Sequence, residues 1–138
     1  MWHRIKRIFR SFLPLHRKRS LGELGEAAAV KFLKKKKYNV IERNVTFDVG
    51  EIDIVAVDGR TVVFVEVKTR KSRQKGEPWE AVDLAKQKKI SQAASIYLNK
   101  ENLTDQKSRF DIISITWLEG QTKPEIEHLI DAFEARVD

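Results

Sequence analysis

The sequence predicts an α/β fold, a central α+β mixed sheet flanked by helices, with its elements in the order α-β-β-β-α-β. Three observations carry this. Ser20-Leu21-Gly22-Glu23 has the spacing of a capping box and opens a stretch of helical periodicity. Asp58-Gly59, between two apolar runs, is a strong two-residue hairpin signal. Val62-Val63-Phe64-Val65 is too continuous for a half-exposed strand, so it belongs in the middle of a sheet covered on both faces.

The elements follow in order. The first helix runs from the cap to about Lys36, and Lys34–Lys37 complement the dipole at its end. Tyr38 to Val45 reads as a strand. A turn at Asp48-Val49-Gly50 leads to a second, Glu51 to Val57, and Thr61 to Thr69 is the third. Residues 70–78 form a basic loop containing Gly76 and Pro78. A second helix spans about Leu84 to Asn99, with Ile90, Ala93, Ala94, Tyr97 and Leu98 as its apolar stripe. Arg109 to Trp117 is the next strand. Glu125 to Ala135 fits either a short strand through Ile130 followed by a turn, or a short helix.

At 138 residues the chain holds one ordinary domain, placed at 20–138. Residues 1–19 form a separate tail with seven basic residues and no acid, which leaves the remainder balanced at 20 bases and 20 acids. Trp2, Ile5, Phe9 and Phe12 recur in the tail at helical spacing with Arg4, Arg7 and Arg10 between them. Such a segment either forms an amphipathic helix on nucleic acid or an anionic membrane, or frays as termini do. The absence of cysteine excludes a disulfide framework and a thiolate nucleophile. His3, His16 and His128 are too few and too scattered for a histidine-rich metal site. No apolar run reaches the ~20 residues of a membrane span, and the N-terminus lacks a secretory pattern. The expectation is a soluble, cytoplasmic protein that is not integral to a membrane.

The chemistry is suggested by charges in apolar places. Strand residues alternate in facing. Glu51 and Asp53 share a face with Val55 and Val57, whereas Glu66 and Lys68 share one with Val62 and Phe64. The hairpin at Asp58-Gly59 brings Asp53 near Glu66 and Lys68. On the first helix Glu26 lies on the stripe of Ala29, Val30 and Leu33, and on the second Lys86 lies one turn before Ile90. Three acids and one or two lysines therefore converge from separate elements. Like charges about 4 Å apart repel by roughly 4 kcal/mol at an effective dielectric of 20. A surplus of negative charge in a partly desolvated site favours protonation or a cation, and an all-oxygen donor set suits Mg²⁺ or Mn²⁺. An ion held by Asp53 and Glu66 polarises a phosphoryl oxygen and activates water. Lys68 is placed to orient that water or to stabilise developing charge. Arg70, Lys71, Arg73 and Lys75 in the loop, with Lys86, Lys88 and Lys89 on the helix, are expected phosphate partners. A purely local reading pairs Glu66 with Lys68 and Asp53 with Arg70, and makes Glu26 a local cap.

Asp53, followed after twelve residues by Glu66-Val67-Lys68, resembles the PD-(D/E)XK signature of the restriction-endonuclease-like superfamily, whose αβββαβ core matches the predicted order. Gly22-Glu23-Leu24-Gly25-Glu26, Arg43-Asn44, Gly50-Glu51-Ile52-Asp53-Ile54, Phe64-Val65-Glu66-Val67-Lys68-Thr69-Arg70 and Lys86-Gln87 together resemble the YraN-like family over about residues 20–118. Those small bacterial proteins are predicted endonucleases similar to archaeal Holliday-junction resolvases. The resemblance implies a Mg²⁺ site at Asp53 and Glu66 with the Val67 carbonyl as a further ligand. It also implies a catalytic Lys68, and a Glu26 that helps to hold metal or water. The superfamily's proline before the aspartate is Ile52 here.

The leading expectation is a metal-dependent, structure-selective DNA endonuclease, acting on branched or damaged DNA and conceivable as a homodimer. Two alternatives belong to other classes. One is a non-catalytic nucleic-acid-binding module on a nuclease fold. The other is a membrane-surface or partner-binding protein that acts through its basic tail.

Overall fold

The structure, a computed structural model, describes residues 19–74 and 76–136. The expected amphipathic pattern of the tail and the phosphate contact of Lys75 lie outside the described residues. Helix α1 (Leu21–Lys35) begins as its sequence requires. The Ser20 hydroxyl accepts the Glu23 N–H at 3.1 Å, and the Glu23 carboxylate accepts the Ser20 N–H at 2.8 Å. Strands β1 (Asn39–Phe47), β2 (Gly50–Asp58) and β3 (Thr61–Arg70) follow as an antiparallel meander. A 3-10 turn at Pro78–Ala81 leads to helix α2 (Leu84–Lys100), which Asp83 caps by accepting the Lys86 N–H at 2.8 Å. Strands β4 (Ser108–Thr116) and β5 (Glu125–Phe133) complete one five-stranded sheet in the order β1-β2-β3-β4-β5. Only the β3–β4 pair is parallel, and α2 makes the crossover that this requires.

The two helices cover opposite faces. Ala29 and Leu33 of α1 pack with Ile54, Ala56, Val63, Val65, Ile113 and Ile115. Ile90, Ala93, Ala94 and Tyr97 of α2 pack with Val55, Val62, Phe64, Phe110 and Ile112. The run Val62–Val65 therefore feeds both cores, and each of its residues is buried. This is the mixed sheet flanked by helices that the sequence predicts, with an added fifth strand.

That fifth strand decides the open choice at the C-terminus: the segment is strand as far as Phe133. Its apolar pattern is broken because β4 and β5 change register between Phe110 and Ile112. Asp131 sits there at φ 57°, and its N–H donates to the fully buried Asp111 at 2.9 Å. The same carboxylate takes Arg109 Nε at 3.0 Å and the His128 ring at 2.8 Å. Arg109 also reaches the Tyr38 hydroxyl and Asp58, while Lys36 Nζ lies 2.8 Å from the other ring nitrogen of His128. These donors overcome the burial of Asp111 and hold its carboxyl below the usual range.

Asp111 thus joins β2, β4, β5 and the α1–β1 connection through one buried charge. Removing it takes the buried partner from Arg109, His128 Nε2 and the Asp131 N–H, and leaves Arg109 with the more exposed Asp58. We predict that Asp111→Ala costs about 3–5 kcal/mol, the cost of breaking a buried charge pair, as measured by urea unfolding. An unchanged midpoint would mean that the network carries no stability.

Candidate active site

The β2–β3 ladder runs from Asp58↔Thr61 to Ile54↔Val65 and stops there. Past that point β2 continues on β1, and β3 continues on β4 from Glu66↔Ile112 to Arg70↔Thr116. The two strands part like a fork, and Asp53 stands at the branch. Its Oδ2 accepts the Val67 N–H at 2.8 Å, so a side chain takes over where the backbone ladder ends. The simple alternation expected for Glu51, Asp53, Val55 and Val57 fails here for this reason. Ile52 and Val55, three residues apart, pack in the same core cluster, and Glu51 is exposed. In extended backbone one residue's N–H and C=O share an edge. The Val67 carbonyl therefore faces the fork as its N–H does.

Glu66 is the next residue into the fork, and it is 5% exposed. Two ammonium groups flank its carboxylate: Lys68 Nζ at 3.6 Å and Lys86 Nζ at 3.4 Å. Asp53 lies close enough for the charge of Glu66 to act on it directly. Burial and the neighbouring Glu66 push the Asp53 carboxyl up to about 7. Glu26 arrives from α1. Burial, and then the charge of Asp53, push it up to about 7 as well, against the opposing pull of Arg43 and a hydrogen bond from Asn44. Arg43 lies 3.9 Å from Glu26, and Asn44 holds a left-handed φ of 52°.

Two glycines allow both helices to come this close. A Cβ on Gly25 would lie 1.8 Å from Thr69 Oγ1, so α1 rests directly on β3 one residue before Glu26. A Cβ on Gly50 would lie 2.9 Å from the Lys89 carbonyl, so the start of β2 packs on the α2 backbone just beyond Lys86.

Asp53, Glu66, Lys68, Lys86 and Glu26 are therefore brought together, and the local pairing of Asp53 with Arg70 is not made. Lys86 and Arg43 join Lys68 as bases, while Glu51 adds its charge to Asp53, Glu66 and Glu26, so four acids face three bases and the negative surplus shrinks to one; burial is the first cause of the raised acids. Arg43 and Asn44 were quoted for the family motif but given no role by sequence reasoning; holding the helix-borne acid is that role. Their signal was an Arg-Asn pair between the apolar residues Val40, Ile41 and Val45 of β1.

The expected phosphate contacts divide. Arg70 donates to Thr116 Oγ1 at 3.1 Å and to the Gly76 carbonyl at 2.6 Å, and Arg73 is paired with Glu125. Both guanidiniums make contacts within the chain, Arg73 through a pair that is exposed on both sides. Lys71 is exposed on the α1 side, where it lines a cavity of about 470 Å³ with Leu21, Leu24 and Trp117. Lys88 and Lys89 are exposed on α2.

Among the described residues no three His, Cys, Asp or Glu side chains form a ready-made metal cluster. The fork instead offers two neighbouring carboxylates and the Val67 carbonyl edge. Mg²⁺ is commonly held by one or two carboxylates with water completing the shell, so this hard-oxygen set fits it.

Residues 25–115 match the uncharacterised protein family UPF0102. The chain belongs to that family. A UPF0102 protein of Geobacter metallireducens is 52% identical over 122 residues, which cover 88% of this chain and 98% of that protein. One of Geotalea uraniireducens is 50% identical over 116 residues, 84% of this chain and 91% of the other. One of Chlorobium phaeobacteroides is 42% identical over 127 residues, 89% and 98% respectively. The UPF0102 match bears out the family resemblance drawn from the motifs. It begins one residue before Glu26 and ends within β4, so it spans the whole fork and leaves out β5. Among the described residues no helix is long and apolar enough to cross a membrane.

The raised acids have a thermodynamic consequence. Asp53 keeps its proton up to about pH 7 in the folded chain but loses it near 3.8 when unfolded. The unfolded state thus binds fewer protons in this range, and stability falls as pH rises from about 4 to about 7. Asn at position 53 can still accept the Val67 N–H without carrying charge. Without divalent cations, Asp53→Asn is expected to melt above wild type at pH 8, with the gap closing toward pH 5. A gap independent of pH, read by thermal scans, would contradict the raised Asp53.

Proposed function

We propose that this protein hydrolyses phosphodiester bonds of DNA in a metal-dependent reaction, as a structure-selective endonuclease. The observation that supports this best is the Asp53–Glu66 pair at the parting of β2 and β3, with Lys68 Nζ 3.6 Å from Glu66. A pure binding module gains nothing from buried acids turned toward a phosphate. Asp53, Glu66 and the Val67 carbonyl would hold Mg²⁺ or Mn²⁺, which supplies a polarised phosphoryl oxygen and a water of lowered pKa.

The chain's own groups do the rest. Lys68 is a third exposed, so its ammonium extends from Glu66 toward the opening, where it orients the attacking water and stabilises charge on the phosphate. Glu26, raised to about 7, is divided between its acid and base forms at neutral pH and exchanges a proton with water at the fork. Lys86, half-exposed beside Glu66, and the exposed Lys88 and Lys89 meet the DNA backbone.

Cleavage of duplex, single-stranded, flap and four-way-junction DNA with Mg²⁺ or Mn²⁺ tests the proposal. Wild type is expected to cut a branched or single-stranded member of the panel. Asp53→Asn and Lys68→Met, purified identically, are expected to lose at least about a hundredfold in rate, the scale of one general acid–base or charge-stabilising group. Cutting that survives both substitutions would overturn the site.

A further inference from the structure

We propose that Trp79, on the turn that leads into α2, stacks on an unpaired base next to the fork, so that the preferred nucleic acid is one with unstacked nucleotides adjoining a duplex. This deepens the hydrolase reading by naming what positions the substrate, and it rests on that reading only for the place of the cut.

The first support is exposure. Trp79 is 47% and Leu84 60% exposed, whereas Phe64, Tyr97 and Phe110 of the α2-side core are buried. A large aromatic side chain left in water on a short, tied turn is a candidate interaction site. The second is the mount. Pro78 is buried, the Trp79 carbonyl accepts the Val82 N–H at 3.2 Å, and Val82 is 1% exposed in the α2 core. Gln87 Nε2 donates to the Val82 carbonyl, and Asp83 caps α2. The backbone carrying Trp79 is thus tied on both sides, and ordering it on binding costs little further entropy.

The third support is position and charge. Leu84 opens α2, and Lys86 in the same turn reaches Glu66. The exposed Lys88 and Lys89 follow. Three acids, Glu77, Glu80 and Asp83, flank Trp79 in the sequence; Glu80 accepts the Glu77 N–H and Asp83 the Lys86 N–H, so two of these carboxylates are held on the backbone of their own turns. An exposed aromatic with lysines on one side fits a nucleotide, whose base takes the ring and whose phosphate takes the ammonium groups. Stacking on a base needs that base out of its duplex stack, and this gives the preference. A protein partner would engage the same ring with no bias among DNAs.

The test is binding without divalent metal, in the Asp53→Asn background, so that catalysis plays no part. Fluorescence anisotropy would compare a blunt duplex with a duplex interrupted by a short single-stranded gap. The gapped DNA is expected to bind tighter. Trp79→Ala should weaken it about tenfold, the scale of one base–aromatic stack, while changing the duplex less than twofold, and Trp79→Phe should restore most of the loss. In a chain carrying Trp2→Phe and Trp117→Phe, where Trp79 is the sole tryptophan, oligo(dT) should quench its emission. Equal weakening of both DNAs by Trp79→Ala, or unquenched emission, overturns the proposal. Base-dependent binding by a wild-type protein that cuts nothing would sink the hydrolase reading and leave this one standing. Cutting with no gap preference would do the reverse.

Discussion

The hydrogen bond from the Val67 N–H to the Asp53 carboxylate is the constraint on which the rest of the centre depends. A sheet that continued its ladder through this point would pair β2 with β3 and close the edge of Val67. By accepting that N–H with a side chain, Asp53 satisfies the first orphaned donor and lets the strands separate at no loss of a buried hydrogen bond. The gap so created admits carboxylates from β2 and β3, with α1 and α2 reaching it from opposite faces. It also removes water from Asp53. An acid held there by an N–H would ordinarily stay ionised, yet burial and Glu66 prevail and raise it. The same residue is therefore a structural plug and the most perturbed acid of the fork.

The fold was largely legible because its signals are local. A capping box, a two-residue hairpin and an unbroken apolar run each name an element without reference to the others. The fifth strand was not legible, since its register change at Asp131 serves the buried Asp111, and a bulge destroys the period by which a strand is recognised. The centre was legible as a set of residues and less so as an arrangement. Asp53, Glu66, Lys68, Glu26 and Lys86 stand out because charges on apolar faces are unusual. That Asp53 points along the sheet rather than out of it follows from where a ladder stops, which no periodicity reports. The intrachain partners of Arg70 and Arg73 were hidden for a similar reason, since the carbonyl, hydroxyl and carboxylate that engage them come from distant parts of the chain or from backbone.

Charge alone does not explain the fork. With Glu51 counted, four acids face three bases, a surplus of only one, and dehydration stands ahead of charge as the cause for both raised acids. The two causes differ in what they demand of the surroundings. A surplus is relieved by any nearby cation, including the lysines already present. Dehydration is relieved only by a group that coordinates the carboxylates where they are, or by a proton. Close helix packing at Gly25 and Gly50 sustains that dryness, because larger residues there would lift α1 or α2 off the strands. Two residues with no side chain thus set the acidity of two residues that have one.

The single parallel pair in the sheet orders the assembly of the molecule during synthesis. β1, β2 and β3 are joined by tight turns, whereas Val62 meets Ser108 only after a loop spanning 46 positions has closed around α2. A chain leaving the ribosome exposes Asp53 and Val67 before Lys86 has emerged. The 19 positions between Val67 and Lys86 take about one to four seconds to translate. For that interval the nascent meander carries its carboxylates without the lysine of α2, and solvent protons or ions are their only source of compensation from that side.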